Sequence, residues 1–471
     1  MRILHYLPGL PPVLGGGMIK YALDLVEGER RLGHTVSILV PGAYTHLHRE
    51  NVSVTKKKWK TLDCYYIVNP LPVSVGRGVA DLQSLYRQGD VTVYLDFLTR
   101  LAPELVHVHS FMGLHQAFLM AAKQLGIPIV YTTHDYYGIC PKATLLEDKS
   151  ICTTTDGSCC AGCMRDRITM KKMQWEHTAL YRLLKGNAFI HWLEYSQRLV
   201  PIKIYLKSLK SKQQSGRLEQ DKVEKCDNTA EVLEYQKLQR YYRSMFAYVT
   251  YFHYNSTQTQ EIFRRYLGEH IAGERILLRN QTVMDRRRQR QFGPTLRIGF
   301  IGYGEHKGFG LLREAMADMY AKGMQDIECH VYFNPKETMP AYIVSHAPYQ
   351  DKNAESVYDN IDVLVLPSIW QETFGMVVLE AISYGVPVIL SNQVGAKDLL
   401  EENNEVGMLV EPTKDALQAA LEQIYCHREL LQKMNREICK WNINLDYENH
   451  IRKMLDMYQM VCNDERNKEE E

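Results

Sequence analysis

No stretch of this 471-residue chain is apolar for long enough to cross a bilayer. The best run, Ala117 to Val130, is broken by Lys123, Gly126 and Pro128, short of the roughly 20 apolar residues that a spanning helix needs. Charge of one sign is not in excess either. The 56 Lys and Arg stand against 55 Asp and Glu, a formal net charge of +1, so the chain as a whole has no drive toward nucleic acid or an acidic partner, and basic character must be local. The opening Met1-Arg-Ile-Leu-His-Tyr-Leu-Pro8 has too few apolar residues before its proline for an export signal. A cytoplasmic protein is therefore expected. An odd count of 11 cysteines then reads as reduced thiols and a metal site, not as a disulfide frame. Two motifs are also missing. There is no Gly-x-Gly-x-x-Gly followed by an acidic residue placed for a dinucleotide ribose. No Asp-x-Asp stands in the ligand loops of the second half, which excludes the usual carboxylate pair for a divalent cation there.

What is present is a soluble globular composition, 45% hydrophobic and 24% charged, in a chain long enough for about two or three domains. Strand and helix patterns alternate in two similar halves. Arg2-Ile-Leu-His-Tyr-Leu7 reads as a strand and Gly15-Gly-Gly17 as the turn into a helix. Met18, Ala22, Leu25 and Val26 form the buried stripe of that helix, Gly33 ends it, and Thr35–Val40 is the next strand. A second unit follows with Leu105–His109, a helix to Leu125, and Ile129–Thr133. The other half opens at Leu296–Ile301 and repeats the alternation through Val410. Alternation of this kind means parallel sheets. The charged run Asp285-Arg-Arg-Arg-Gln-Arg290 reads as the crossing between the halves.

Within the second half, Glu372-Thr-Phe-Gly-Met-Val-Val-Leu-Glu380 follows the apolar run Ile361–Pro367 and precedes Val386–Leu390. Strand, loop, helix and strand are thus spelled in order, with Glu372 in a loop at the carboxyl end of a strand, where open α/β sheets bind ligands. The amides of Phe374, Gly375 and Met376 would open the helix, where free donors and the helix dipole favour a phosphate. Glu380, within the first two turns, is placed to accept from sugar hydroxyls. These residues resemble retaining glycosyltransferases of the GT-B fold, in particular glycosyltransferase family 4 (group 1), which carry a Glu-Phe-Gly segment and a second Glu at this spacing.

The resemblance implies an α/β fold of two Rossmann-like parallel-sheet domains facing a cleft. It also implies that Glu372 faces the donor sugar, that the amides after it hold the diphosphate, and that Glu380 binds the ribose. The glycine turn centred on Gly16 is similar to one the family uses near donor phosphates or acceptor. Gly302-Tyr-Gly-Glu-His-Lys307-Gly308 is similar to a family loop whose Arg and Lys neutralise the diphosphate; Lys307 matches, whereas Tyr303 stands at the Arg position and cannot replace a bidentate guanidinium. His134, before Asp135, takes the family's role of contacting the donor sugar. His107 and His109 share one face of their strand and read as satisfied structural histidines, with substrate contact as the alternative.

Cys140, Cys152, Cys159, Cys160 and Cys163 crowd into one loop after His134. Cys160-Ala-Gly-Cys163 has the spacing of two thiolates on a tetrahedral zinc. Cys140, Cys152, Cys160 and Cys163 would complete a closed structural site, with Cys159 as the alternative to Cys160; an iron–sulfur cluster or plain thiols are the competing readings. Residues 169 to about 254 interrupt the alternation as a helical insert, basic and aromatic around Lys203–Lys210. That pattern suits an anionic membrane surface or a solvated excursion and lacks the stacking motifs of a nucleic-acid binder.

The expected organisation is an acceptor-side domain over 1–280, with the Cys-rich loop 140–163 and the insert, and a donor domain over 281–444. A final helix from 445 crosses back to the first domain and runs to a frayed tail at 471. The expected activity is metal-independent, retaining transfer of a hexose-like sugar from a nucleotide-sugar donor to a glycan or lipid-linked glycan, in surface polysaccharide assembly. It would take place in the cytoplasm or on the inner face of the membrane, with zinc only as a structural ion. The alternatives are a nucleotide-sugar epimerase and a non-catalytic glycan- or nucleotide-sugar-binding scaffold of the same fold.

Overall fold

The structure, a computed structural model, describes residues 1–45, 51–74, 78–147, 150–154, 157–164, 167–169, 172, 175–176, 178, 229–302, 304–335 and 337–470. The basic segment Lys203–Lys210 and Tyr303 lie outside the described residues.

Two sheets organise the chain. The first has eight strands in the spatial order Gly273–Arg275, Tyr251–Tyr254, Ile129–Thr132, Leu105–Val108, Arg2–Tyr6, Thr35–Pro41, Leu62–Val68 and Ser53–Trp59. Neighbours are parallel except the last pair. The second has six parallel strands, in the order Ile343–Ser345, Ile327–Val331, Leu296–Phe300, Val363–Leu366, Val388–Ser391 and Gly407–Val410. Leu105–Val108, Val363–Leu366 and Val388–Ser391 are buried at every residue, as strands covered on both faces must be.

In each sheet the strand order reverses beside its first strand, between Arg2–Tyr6 and Leu105–Val108 and again between Leu296–Phe300 and Val363–Leu366. Loops leaving the carboxyl ends of such a pair diverge to opposite faces and leave a crevice. The turn at Gly16, the loop of Lys307 and the loop of Glu372 all leave from these points.

The halves share one core. An apolar cluster runs from Ile3, Tyr21 and Leu25 through Met454 and Tyr458 to Phe374 and Leu379. The last helix, Tyr447–Glu470, lies on the first half: the Tyr447 hydroxyl donates to the Asp24 carbonyl, Tyr21 Oη stands 2.9 Å from His450 Nε2, and Tyr458 Oη stands 2.7 Å from His107 Nδ1. The arginine run packs on the second half, with Arg290 donating to the carbonyl of Ile361 at 2.7 Å and Arg287 to that of Ile438 at 2.9 Å.

Two features depart from the sequence pattern. The antiparallel pair Ser53–Trp59 and Leu62–Val68 carries Lys56, Lys57 and Lys58 on its outer strand, charges that protect a sheet edge from foreign pairing and hide the strand from an apolar count. The insert also ends earlier than its composition suggests. Helix Thr229–Phe246 buries Tyr235, Leu238, Tyr242 and Met245, and Tyr251–Tyr254 then pairs with Ile129–Thr132 in the first sheet. Half of the buried face of that helix is tyrosine, which reads as polar in a hydropathy pattern yet packs as an aromatic body.

The first and last helices meet at Gly28, where an added Cβ would come within 2.7 Å of Ile451 Cγ1 and 2.8 Å of Tyr447 Oη. Gly28→Ala should therefore push the last helix outward and cost about 1–3 kcal/mol. Gly310→Ala, with nothing within 4 Å, should be neutral or stabilising by up to ~1 kcal/mol. Urea unfolding of both variants checks this, and equal midpoints would contradict the close packing.

Candidate functional site

The carboxyl edges of the sheets face each other across a cleft of ≈ 810 Å³. From the first half Gly16, Gly17 and His134 reach it; from the second come Gly302, Lys307, Tyr349, Trp370, Glu372, Phe374, Gly375 and Met376. Gly16 caps the first helix with φ 114° and Gly375 caps the helix Met376–Ser383 with φ 95°, conformations open to glycine and strained for other residues. Helices begin at the cleft wall for that reason, and the first amides of each lack partners within the helix.

Lys307 and Glu372 form an ion pair at the cleft wall, Nζ on Oε1, with side-chain exposures of 20% and 9%. Ser368 donates to the other carboxylate oxygen at 2.6 Å, and Nζ stands 5.3 Å from the Trp370 ring centroid. The Glu372 backbone is fixed on both sides. Its amide donates to the Gln393 carbonyl at 2.8 Å, and its carbonyl accepts from Gly395 at 2.8 Å and from the Gln258 side chain of the first half at 3.1 Å. Thr373 reaches across to the His134 carbonyl at 3.0 Å. A carboxylate, a cation and a helix amino end are thus held around one space before any ligand arrives, which is the preorganisation that charge stabilisation requires.

Of the residues singled out from sequence, Gly16, His134, Gly302, Lys307, Glu372, Phe374, Gly375 and Met376 line this cleft. Glu380 lies outside this lining, with its carboxylate already engaged by protein groups. Glu380 is 2% exposed and accepts from Asn280 at 2.9 Å, Thr282 at 2.6 Å, Tyr349 at 2.5 Å and Tyr358 at 3.0 Å. Lys20 of the first helix stands 3.6 Å from it. These partners lie up to hundreds of residues away in sequence, so spacing alone could not show that they saturate it. Trp370, Ser368 and Tyr349 were not anticipated. The segment Pro367-Ser-Ile-Trp370, at the end of a buried strand just before Glu372, was the signal for the first two; Tyr349 carries none.

His134 lies at the cleft with Nε2 3.0 Å from His109 Nδ1. Burial, and then the nearby His253, lower its pKa to about 3, so it is neutral at pH 7. Burial raises its neighbour Asp135 to about 6, against the pull of the Tyr137 amide and the Ser110 hydroxyl.

The cysteines do not assemble as the Cys160-x-x-Cys163 spacing suggests. Cys152 and Cys159 bring their sulfurs to 3.9 Å, near the ~3.8 Å separation of two thiolates on a tetrahedral zinc, and Glu147 completes a group within 4.8 Å. Cys160 is adjacent in sequence but faces inward from a one-turn helix, where Gln239 Nε2 approaches its sulfur at 3.8 Å. Cys140 and Cys163 stand outside the group among the described residues. Among the described residues Cys152, Cys159 and Glu147 are the members of this loop within one metal's reach, and Cys160 lies near enough to feel Cys140, Cys152, Cys159 and Cys163.

Comparison with known proteins agrees with the architecture. Residues 16–155 match the family described as Glycosyl transferase 4-like domain, and residues 343–441 match Glycosyl transferases group 1. No curated protein matches the chain. Among solved structures, sucrose-phosphate synthase from Thermosynechococcus elongatus aligns over 98% of this chain and 98% of its own, at 14% identity and a TM-score of 0.55. Anabaena Alr3699/HepE in complex with UDP aligns over 98% and 100%, at 12% identity and 0.56. WaaG, a glycosyltransferase involved in lipopolysaccharide biosynthesis, aligns over 97% and 99%, at 13% and 0.53. At these identities the likeness is one of fold, and that fold is GT-B.

The buried histidines make stability depend on pH. Burial holds His134 and His115 at about 3, His253 at about 4, and His107 and His109 well below the usual value. Unfolded histidine titrates near ~6.5, so below that pH the unfolded chain binds more protons, and each group's contribution, complete above ~6.5, is lost as pH falls toward its lowered value. Asp135 works in the opposite sense between its unfolded value and about 6, as do Asp24 and Glu274, whose carboxyls burial also raises, but the lowered histidines, His450 among them, outnumber these carboxylates. The melting temperature should fall steadily from pH 7 to pH 4.5 in calorimetric scans; a flat profile would contradict burial of neutral imidazoles.

Proposed function

Because the chain is a GT-B glycosyltransferase of the group 1, family 4-like kind, we propose that it transfers a sugar, with retention of configuration, from a uridine diphosphate donor to a glycan or lipid-linked glycan. The observation that carries this reading is the Lys307–Glu372 pair beside the amino end of Met376–Ser383. A diphosphate laid on those amides would draw Lys307 away from Glu372, leaving the carboxylate next to the sugar. The bond from the anomeric carbon to the phosphate oxygen breaks, the acceptor oxygen bonds that carbon on the same face, and the acceptor proton passes to the departing diphosphate. Lys307 and the helix amides stabilise the leaving group, a task that other transferases give to a divalent cation.

UDP as the nucleotide is supported by solved structures of the same fold, including Alr3699/HepE with UDP-glucose and trehalose-6-phosphate from E. coli bound with UDP-2-fluoro glucose. A role in surface polysaccharide assembly is supported by WaaG. A ribose would gain Glu380 by displacing Tyr349, which both lines the cleft and donates to that carboxylate. Zinc in this reading is structural, anchoring the loop after Asp135 through Cys152, Cys159 and Glu147, and takes no part in transfer. The site of action is the cytoplasm or the inner membrane face.

Measuring UDP release and sugar transfer from UDP-sugars tests the assignment. Lys307→Ala should lower turnover about 10²–10³-fold, and Glu372→Gln should lower turnover more than affinity for UDP. Near-wild-type transfer by both variants would reject the site.

Transfer should also persist in chelator without added magnesium or manganese. Elemental analysis of protein purified without a metal-affinity tag should find about one zinc per chain. Strict dependence on magnesium would reject the cation-free donor site, and metal-free protein would reject the structural zinc.

A further inference from the structure

Three buried groups and the half-buried His134 form a continuous hydrogen-bonded line from the core to the cleft. Glu29, fully buried in the first helix, stands with Oε2 2.8 Å from His5 Nε2. His5 Nδ1 stands 3.0 Å from His109 Nε2, and His109 Nδ1 stands 3.0 Å from His134 Nε2. Among the described residues no group bonds His134 Nδ1, and His134 lines the cleft.

A neutral imidazole has one donor and one acceptor nitrogen, so the state of one end of such a line dictates every ring along it. An ionised Glu29 can only accept. With His5 neutral, it then carries its proton on Nε2, leaving Nδ1 to accept from His109 Nε2–H, whose Nδ1 accepts in turn from His134 Nε2–H. The last lone pair, on His134 Nδ1, is left at the cleft. Burial keeps His109 and His134 neutral at pH 7, which this alternation requires.

A metal is the competing use of the cluster, since ligand atoms of His5, His107 and His109 lie within 4.8 Å of one another. Their ring nitrogens are already committed. His107 belongs to a second line whose direction is set at a carbonyl. His253 Nε2 donates to Ile276 O at 2.8 Å, so Thr132 donates to His253 Nδ1 at 2.8 Å, His107 Nε2 donates to Thr132 at 2.6 Å, and Tyr458 donates to His107 Nδ1 at 2.7 Å. With both nitrogens of His107 occupied, His109 has only His5 and His134 as ring partners.

We propose that Glu29 is a positioning residue that acts through His5 and His109 to hold His134 as its Nε2–H tautomer, so that Nδ1 offers a lone pair to a hydroxyl of the donor sugar. The part concerning the sugar rests on the glycosyl-transfer reading above; the relay does not. A site built to accept from a hydroxyl discriminates against a sugar lacking it at that position, because the lone pair is then left unmatched.

The test uses the full chain with ¹⁵N-labelled histidine at pH 7.5, the His134 signals being identified by their loss in His134→Gln. Wild-type His134 should show a protonated Nε2 and an unprotonated Nδ1. Glu29→Met, which removes the acceptor, should give a mixture of tautomers at His134. UDP-glucose affinity should then fall about tenfold, as one lost hydrogen bond would give, with UDP affinity changed less than about twofold. Glu29→Gln, whose amide oxygen still accepts from His5, should restore the wild-type pattern. A protonated Nδ1 in the wild type, an unchanged tautomer in Glu29→Met, or equal weakening of UDP and UDP-glucose would overturn the proposal. The wild-type spectrum needs neither ligand nor variant, so a protonated Nδ1 there overturns the relay even if nucleotide binding, and with it the transfer reading, fails, or if Glu29→Met does not fold.

Discussion

Lys307 and Glu372 meet where two parallel sheets turn their carboxyl edges toward each other, and much of the site follows from keeping that pair half-buried. A cation and a carboxylate taken from water lose hydration that their mutual attraction restores only in good geometry, and removing one partner of such a pair costs about 3–5 kcal/mol. The structure meets the requirement with Ser368 on the second carboxylate oxygen and Trp370 beside the ammonium. Bonds to the Glu372 carbonyl from the Gly395 amide and the Gln258 side chain stop the loop from relaxing. A diphosphate bound as proposed would offer Lys307 a second anion at the same place, so it would split the pair without leaving the cation unpaired.

The cleft exists because the halves are joined behind it. Glu380 gathers Lys20 from the first helix, Asn280 and Thr282 from the crossing segment, and Tyr349 and Tyr358 from the second half. The last helix returns to the first half and meets Tyr21, Asp24 and His107. Such contacts fix the distance between Gly16 and Gly375 and bring His134 within one hydrogen bond of Thr373. The same burial that joins the halves dries the histidine line, and a dry line of neutral rings can carry a tautomer preference across the core.

The fold was largely legible in the chain because parallel strands buried on both faces leave short apolar runs with clear stops, as at Ile361–Pro367 and Val386–Leu390. Glu372, Gly375 and Lys307 were legible because each sits at a fixed offset from such a run. What could not be read were relations between distant segments: that Glu380 is saturated by Tyr349 and Asn280, that Cys159 and not Cys160 faces Cys152, and that His5 joins Glu29 to His109. Periodicity reports which face a side chain takes, not which partner waits there. Tyrosine-rich Thr229–Phe246 and lysine-rich Ser53–Trp59 were obscured for a different reason, since their polar atoms mask the apolar or strand character that packing uses.

The central claim is that one cleft cation changes partner when the nucleotide arrives, and a crystal structure of the chain with bound UDP tests it most directly. The diphosphate should lie against the amides of Gly375 and Met376, with Lys307 Nζ on a phosphate oxygen and no longer on Glu372. UDP bound elsewhere, or bound in the cleft above an intact Lys307–Glu372 pair, would contradict it.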